Sequence, residues 1–243
     1  MFKLMFVVLF LVGVALCSPR PNNAIPASTS SPTSTTSTTV DETTKVASKL
    51  TTLKEKVQLT IFYETLCPYS IEFFVEKLEP AVLKLGSYLD LQLVPYGKAQ
   101  TSNETDSEGR YSFTCQHGAP ECRGNLAHAC AIDVLRNNTH AVIYNSCLMQ
   151  SSFEYSDPED ITRCGVSEKV PTKSINDIGK CINGTRGSTL LKSYGEITKA
   201  NKVLFVPHLK FDGSTEHERD ARNNLITVVC NLLNPQPPAC HST

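Results

Sequence analysis

The chain has 243 residues, 40% of them apolar, and its 23 basic and 24 acidic side chains give a formal net charge of −1. Because the charges balance and no basic stripe is present, the sequence argues against nucleic acid and anionic membrane surfaces as partners.

The N-terminal region is predicted to be a secretory leader followed by a stalk. Residues 1–17 combine a lone Lys3 with a continuous apolar core and small residues at the expected cleavage site, which indicates a signal peptide. Its apolar run is shorter than the ~20 residues that a membrane-spanning helix needs. Residues 18–49 are dominated by Ser, Thr and Pro and contain too few apolar groups to fold, so we predict a disordered stalk. It is either O-glycosylated or an unmodified leader.

Residues 50–243 fit one domain with an insertion. In chain order, we predict a strand over 56–63, a helix over 70–85, a strand over 89–95, helical pieces near 124–136 and 140–150, helices over 174–181 and 187–200, a strand over 203–211, a turn at Asp212-Gly213 and a closing helix over 216–233. The first strand, helix and strand imply a parallel pair with a crossover. The cysteine-rich stretch at about 97–171 is predicted to be an inserted subdomain.

The motif Cys67-Pro68-Tyr69-Ser70 lies where the first predicted strand gives way to the first helix. Unsatisfied backbone N–H groups and the helix dipole at such a position favour a thiolate, and Pro68 is tolerated at the first helical position. Thiol-disulfide oxidoreductases usually carry C-x-x-C here, so that the second sulfur releases the mixed disulfide. Ser70 offers only a hydroxyl, which could donate a hydrogen bond to the Cys67 thiolate. We therefore predict a nucleophile without a resolving partner.

The other cysteines are predicted to form disulfides. Of the ten cysteines, Cys17 is assigned to the signal peptide, and setting Cys67 aside leaves eight, enough for four bridges whose pairing the sequence leaves open. These eight are Cys115, Cys122, Cys130, Cys147, Cys164, Cys181, Cys230 and Cys240. On this count Cys67 is the leftover, unpaired thiol. Sequons at Asn103, Asn137 and Asn183 predict N-glycosylation.

A zinc site is the alternative interpretation of the central cluster Cys115, His117, Cys122, His128 and Cys130, whose spacing permits it. Cysteine patterns in exported proteins are more often disulfides, so we predict no metal and no cofactor. His117, Glu121 and Asn125 are then expected to shape the insertion rather than to ligate or catalyse.

The segment CQHGAPECRGNLAHAC, which begins at Cys115, resembles the CQHGxxECxxNxxxxC motif of the gamma-interferon-inducible lysosomal thiol reductase (GILT) family. The resemblance covers the chain from about Lys56 to Cys230. It implies an α/β, thioredoxin-like fold interrupted by a disulfide-rich helical subdomain, and an activity that reduces protein disulfides at acidic pH. Ser70 departs from the family pattern, which carries a second cysteine there.

The resemblance also places Pro207 at the cis-proline that begins the strand facing the reactive sulfur. Val206, Pro207 and His208, together with Pro68 and Tyr69, would then present the substrate-binding surface, in the manner of β-strand addition. A positive charge on His208 near Cys67 would favour the thiolate at acidic pH. The alternative is a partly exposed strand histidine without that role.

Two functions follow from the sequence. The first is a secreted or endosomal/lysosomal thiol-disulfide oxidoreductase homologue with a monothiol site, expected to have weak or no dithiol turnover, which acts on protein disulfides with glutathione or another small thiol. The alternative is a catalytically retired, secreted module that binds secreted or cell-surface proteins on the same scaffold. No membrane span is predicted.

Overall fold

The computed structural model describes residues 53–151 and 158–241. The predicted signal peptide and stalk lie outside the described residues. In chain order the elements are β1 (Val57–Tyr63), α1 (Pro68–Phe73), a π-helical turn (Phe74–Leu78), α2 (Glu79–Leu85), a 3₁₀ turn (Gly86–Tyr88), β2 (Leu89–Pro95), β3 (Gln100–Thr105), β4 (Tyr111–Thr114), α3 (Ala119–Leu135), α4 (Asn138–Gln150), α5 (Pro158–Ser167), α6 (Thr172–Asn183), α7 (Thr185–Ala200), β5 (His208–Phe211), α8 (Glu218–Asn223), α9 (Leu225–Leu232) and a 3₁₀ turn (Pro238–Cys240). Within these residues, every helix is too short or too polar to cross a bilayer.

The central sheet has three strands in the order β2-β1-β5. β1 pairs in parallel with β2, from Val57 opposite Leu89 to Tyr63 opposite Pro95, and antiparallel with β5. Parallel neighbours need a crossover, which α1 and α2 provide. The last three residues of β1 are buried. β1 is therefore the central strand and pairs with both of the others.

The crossover helix contains a π-helical turn just before a proline. The single helix predicted over 70–85 begins at Pro68 and contains a π-helical turn over Phe74–Leu78. Pro80 lies in the first turn of α2, where its ring would clash with the carbonyl four residues earlier in a regular α-helix. The wider π turn moves that carbonyl away, so the chain keeps its direction across the sheet.

The segment between β2 and β5 contains the β3–β4 hairpin and helices α3 to α7. α3 packs against α4, α6 and α7, and it is buried on most of its circumference. Four disulfides join the eight cysteines in the pairs Cys115–Cys122, Cys130–Cys181, Cys147–Cys164 and Cys230–Cys240. The first three lie within this helical segment, which has a hydrophobic core of its own beside the main core of the sheet. The predicted α/β class with a disulfide-rich helical subdomain is confirmed, and its boundary at about 97–171 stays a prediction.

Several other elements differ from the sequence-based expectation, among them α5 (Pro158–Ser167), which was not predicted. Only His208–Phe211 of the predicted strand over 203–211 pairs with the sheet. The closing helix is two helices, because Asn224 leaves the helical conformation and its side chain accepts a hydrogen bond from the Thr227 N–H, capping α9. The hairpin β3–β4 was not predicted, since its strands are polar and mostly exposed.

Gly187 and Gly179 offer a matched test of the packing around the Cys130–Cys181 bridge. A Cβ at Gly187 would overlap the carbonyl oxygen of Cys181 and lie 3.2 Å from the Cys130 Sγ, whereas a Cβ at Gly179 meets nothing within 4 Å. We expect Gly187→Ala to lower the free energy of unfolding by about 1–3 kcal/mol. Gly179→Ala should raise it by about 0.5–1 kcal/mol, because alanine favours the helix interior. Urea denaturation measures both, and equal effects would contradict the packing described.

Candidate functional site

Cys67 lies at the N-terminus of α1 and faces the segment that enters β5. Its carbonyl oxygen accepts hydrogen bonds from the N–H groups of Ser70 (2.9 Å) and Ile71 (3.0 Å), which places Cys67 at the N-cap. Its Sγ is buried and lies 3.8 Å from the carbonyl oxygen of Val206. The fold thus brings the predicted Cys67 motif and the predicted Val206-Pro207 segment together.

The expectation that Cys67 is an unpaired thiol is wrong for this chain. None of the other eight described cysteines is its partner, because they bond to one another, yet Cys67 is itself disulfide-bonded and no described cysteine is a free thiol. The prediction rested on the Cys67-Pro68-Tyr69-Ser70 motif and on an odd count of nine cysteines, obtained by assigning Cys17 to a removed signal peptide.

Ser70 lies one turn into α1 and is buried. Its Oγ has no hydrogen-bond partner among the described residues, so the predicted hydrogen bond from Ser70 to the Cys67 sulfur is not formed in this disulfide-bonded state. A buried hydroxyl without a partner costs free energy. The Ser70 hydroxyl therefore adds nothing to the free energy of unfolding in this state.

The segment before β5 contains the predicted substrate-binding residues. The Val206–Pro207 peptide bond is cis, and both residues are buried, while His208 is partly exposed. The His208 Nδ1 lies 2.9 Å from Oε1 of the buried Glu218, which also accepts the Leu209 N–H at 3.0 Å. His208 is thus held by Glu218 as the first residue of β5.

Pro68 and Tyr69 lie on the outer side of the same region. Both are exposed, Tyr69 with 45% of its surface accessible. Leu204, in the segment that leads to Val206, is 80% exposed. These apolar side chains could contact an extended peptide, and their assignment as substrate-binding residues stays a prediction.

The loop between β1 and Cys67 is held by residues of the CQHG motif. The Thr65 N–H donates to Asn125 Oδ1 (3.0 Å), and the Thr65 hydroxyl donates to the Glu121 carbonyl oxygen (3.3 Å). A Cβ at Gly124 would overlap the Thr65 side chain, so the close approach requires glycine. Asn125 and Glu121, expected to shape the insertion, also fix the loop that carries Cys67.

Glu64 is the residue that the sequence-based reasoning missed. It follows β1 and is fully buried, and its Oε2 accepts the Lys98 N–H at 2.9 Å. Its Oε1 lies 3.7 Å from His117 Nδ1, which is 2.5 Å from Oε2 of the buried Glu121. Burial and, next, the charge of Glu121 raise the pKa of Glu64 to about 7. An acidic residue three positions before the cysteine, at the end of a buried strand, was the available signal.

His128 lies in the core between β1 and the crossover helix. It is fully buried, its Nδ1 is 3.1 Å from the Tyr63 hydroxyl, and its ring packs against Tyr63 and Phe74. The alternative zinc grouping is not assembled, because the sulfurs of Cys115, Cys122 and Cys130 are in disulfides. Burial lowers the pKa of His128 to about 3, so the imidazole stays neutral in mild acid.

The three predicted glycosylation sites are exposed on different elements. Asn103 lies in β3, Asn183 ends α6, and Asn137 precedes α4, where its Oδ1 accepts the His140 N–H. Their modification stays a prediction.

A parallel strand–helix–strand unit, an antiparallel strand entered through a cis-proline, and a cysteine at the helix N-terminus beside that proline define a protein of the thioredoxin-like class. A family model for gamma interferon inducible lysosomal thiol reductase (GILT) matches residues 58–167. The chain is 33% identical over 204 residues to GILT-like protein 1 of Drosophila melanogaster, covering 76% of this chain and 79% of that one. It belongs to the GILT family.

Other known proteins are similar to this chain over most of its length. The gamma-interferon-inducible lysosomal thiol reductase of Carassius auratus is 33% identical over 189 residues, covering 75% of this chain and 71% of that protein. Among solved structures, reduced DsbA from Mycobacterium tuberculosis superposes with a TM-score of 0.49 at 13% identity, covering 82% of this chain and 93% of the other.

Replacing Ser70 tests whether its hydroxyl contributes to stability. Ser70→Ala removes a buried hydroxyl without a partner, so we expect the free energy of unfolding to be unchanged or raised by up to about 1 kcal/mol. Ser188→Ala is the matched control, because the buried Ser188 hydroxyl donates to the Thr185 carbonyl oxygen at 3.0 Å. Its loss should cost about 1 kcal/mol. A larger loss in Ser70→Ala than in Ser188→Ala in urea denaturation would contradict the assignment.

The depressed pKa of His128 predicts a loss of stability in acid. Between its unfolded value of about 6.5 and its folded value of about 3, the unfolded chain binds the extra proton, so the free energy of unfolding falls as pH falls. From pH 7 to pH 5 this contribution is about 2 kcal/mol. The free energy of unfolding, measured by urea denaturation, should differ between pH 7 and pH 5 by that much less in His128→Asn than in wild type. His241→Asn, at the exposed C-terminal end, should leave it unchanged, and an unaltered difference in His128→Asn would refute the prediction.

Proposed function

We propose that the chain is a thiol-disulfide oxidoreductase that exchanges disulfides through Cys67 and depends on an external thiol for each turnover. The observation that carries this function is the position of the Cys67 Sγ, at the N-terminus of α1 and 3.8 Å from the carbonyl oxygen that precedes Pro207. Membership of the GILT family supports the same class of chemistry.

The helix terminus makes Cys67 a good leaving group as well as a good nucleophile. In α1, the first N–H groups are directed toward the N-cap, and the dipole of the helix favours negative charge there. Both effects stabilise a Cys67 thiolate relative to an ordinary cysteine. A disulfide that contains such a sulfur breaks more readily, because a sulfur of low pKa departs faster.

The proposed cycle begins from the disulfide-bonded Cys67. A small thiolate attacks the sulfur bonded to Cys67, and the electron pair of the broken S–S bond leaves on Cys67 as a thiolate. This thiolate attacks a substrate disulfide, forming a mixed disulfide and releasing one substrate thiolate. A second small thiolate attacks the Cys67 sulfur of this mixed disulfide, breaks its S–S bond and releases the second substrate thiolate. A third small thiolate attacks the outer sulfur now bonded to Cys67, which forms a small-molecule disulfide and returns Cys67 as a thiolate, so that two small thiols are oxidised for each substrate disulfide reduced.

Ser70 limits the release of the mixed disulfide. It provides no second sulfur, so the mixed disulfide cannot be released from within the motif, and dithiol turnover is expected to be weak or absent. Once Cys67 is reduced, the Ser70 hydroxyl, which has no hydrogen-bond partner in the described structure, could donate to the thiolate and lower its pKa.

The proposed substrates are protein disulfides presented as extended chain. Pro68 and Tyr69 would contact the peptide on one side, and Val206, Pro207 and His208 would contact it on the other, in the manner of β-strand addition. The predicted leader and the lysosomal relatives support a secreted or endosomal/lysosomal location. Glutathione or another small thiol would supply the electrons.

A binding role is the second candidate, and the burial of the disulfide-bonded Cys67 favours it. A sulfur that external thiols cannot release takes part in no exchange. The exposed Tyr69 and Leu204 would then serve contact with a secreted or cell-surface protein alone.

Disulfide reduction by the full chain with glutathione, measured at acidic and neutral pH on a disulfide-linked fluorescent peptide, tests the proposal. We expect wild type to exceed Cys67→Ser, which lacks the exchanging sulfur. Ser70→Cys should raise turnover at least about tenfold, because it restores the resolving sulfur. Ser87→Cys, a substitution at an exposed position in the 3₁₀ turn before β2, is the control for an added thiol and should match wild type.

Other outcomes separate the two candidates. If wild type and Cys67→Ser are equally inactive and only Ser70→Cys gains activity, the protein is a binding module on an enzyme scaffold. If Ser70→Cys is inactive as well, the assignment of residues 67–70 as the exchange site is wrong.

A further inference from the structure

A three-residue cluster beside the β1–α1 loop has the composition of a metal site. It contains Glu64, which follows β1, and His117 and Glu121, which flank the start of α3. One ligand atom from each of the three lies within 4.8 Å of the other two. Three ligands at about 2.0–2.2 Å from one Zn²⁺ ion in tetrahedral geometry would be about 3.4 Å apart. The side chains therefore need shifts of an ångström or so to share an ion.

The Glu64 carboxylate has unused capacity that is directed into this cluster. Glu64 is fully buried, and its Oε1 has no hydrogen-bond partner among the described residues. That atom lies 3.7 Å from His117 Nδ1, which is too long for a hydrogen bond. A buried carboxylate oxygen without a partner destabilises the fold where water is excluded, and an ion between Glu64 and His117 would satisfy it.

The three side chains are held in place by their surroundings. Glu64 Oε2 accepts the Lys98 N–H, and a Cβ at Gly97 would overlap the Glu64 carboxylate. His117 and Glu121 lie inside the loop closed by the Cys115–Cys122 disulfide. The His117 N–H donates to Glu121 Oε1 at 3.3 Å, which leaves Oε2 facing the imidazole. A cluster fixed in this way loses little conformational entropy when it binds an ion.

Charge and access also suit a cation. Two fully buried carboxylates face one imidazole, and among the described residues Lys98 is the other cation whose charge acts on Glu64. The His117 side chain is 28% exposed, so an ion can enter beside it.

We propose that Glu64, His117 and Glu121 bind a divalent transition-metal ion, with Zn²⁺ the favoured ion. Two carboxylate oxygens and one imidazole nitrogen are ligands of Zn²⁺, whereas Ca²⁺ takes six to eight oxygen ligands and Mg²⁺ prefers oxygen alone. Three protein ligands leave one position for water. The ion would brace the loop that leads to Cys67, and this site does not depend on whether Cys67 exchanges disulfides.

Titration of the chelator-treated full chain with Zn²⁺ in a calorimeter tests the proposal. We expect one ion per chain, bound at least about tenfold more weakly by Glu64→Gln, Glu121→Gln and His117→Gln, because each loses a ligand. Glu108→Gln and His241→Gln remove exposed groups of the same types elsewhere and should bind as wild type does. Circular dichroism checks that each variant is folded.

Two further measurements keep the test decisive if the ligand variants fold poorly. Gly97→Ala would displace the Glu64 carboxylate without removing a ligand and should also weaken binding; since the φ of Gly97 is +57°, its circular dichroism is compared with that of wild type first. Co²⁺ in place of Zn²⁺ should give visible bands of a nitrogen–oxygen site, with no thiolate-to-cobalt charge transfer. The proposal is overturned if no stoichiometric ion binds, if the Glu64→Gln and Glu121→Gln variants bind as wild type does, or if the cobalt spectrum shows thiolate ligation.

Discussion

The contact between the β1–α1 loop and the first turns of α3 is the constraint on which the site depends. Asn125 Oδ1 accepts the Thr65 N–H, and Gly124 leaves room for the Thr65 side chain. Each hydrogen bond contributes only about 1 kcal/mol, but the contact fixes two neighbours of Thr65 that have different tasks. Glu64, before it, is held in the buried cluster, and Cys67, two residues after it, is held at the start of α1. The helical insertion is therefore part of the site as well as an addition to the sheet.

The sheet places the Val206-Pro207 segment next to Cys67. β1 pairs with β5, although Cys67 and Val206 are separated by 139 residues. With β1 in the centre, the loop that leaves its carboxyl end and the segment that enters β5 lie at the same edge of the sheet. The sulfur is thus positioned by two loops that the sheet aligns. In the exchange proposed for this sulfur, the hydroxyl of Ser70 in α1 cannot resolve the mixed disulfide, so an external thiol would complete each cycle.

The sequence predicted most of the elements and only part of the site. β2 matches its predicted bounds, and β1 and α4 match to within two residues, because their periodicity is clear. The hairpin β3–β4 was missed, since polar exposed strands carry no alternating signal. Cys67 and Pro207 were found from local motifs and the family resemblance. Glu64 was not, because its meaning lies in contacts with residues more than fifty positions away. The oxidation state of Cys67 was misjudged because it was inferred from a local motif and a cysteine count, neither of which reports a long-range pairing.

The four disulfides between described cysteines are unevenly distributed along the chain. Three lie between residues 115 and 181 and the fourth between 230 and 240, so none of them connects the sheet to the insertion. The helical block is stiffened from within, and its seam with the sheet is made of side-chain packing and hydrogen bonds such as that of Thr65. Noncovalent seams of this kind open and close by fluctuation. The loop that carries Cys67 runs along this seam, so none of these four bonds ties it to the helical block.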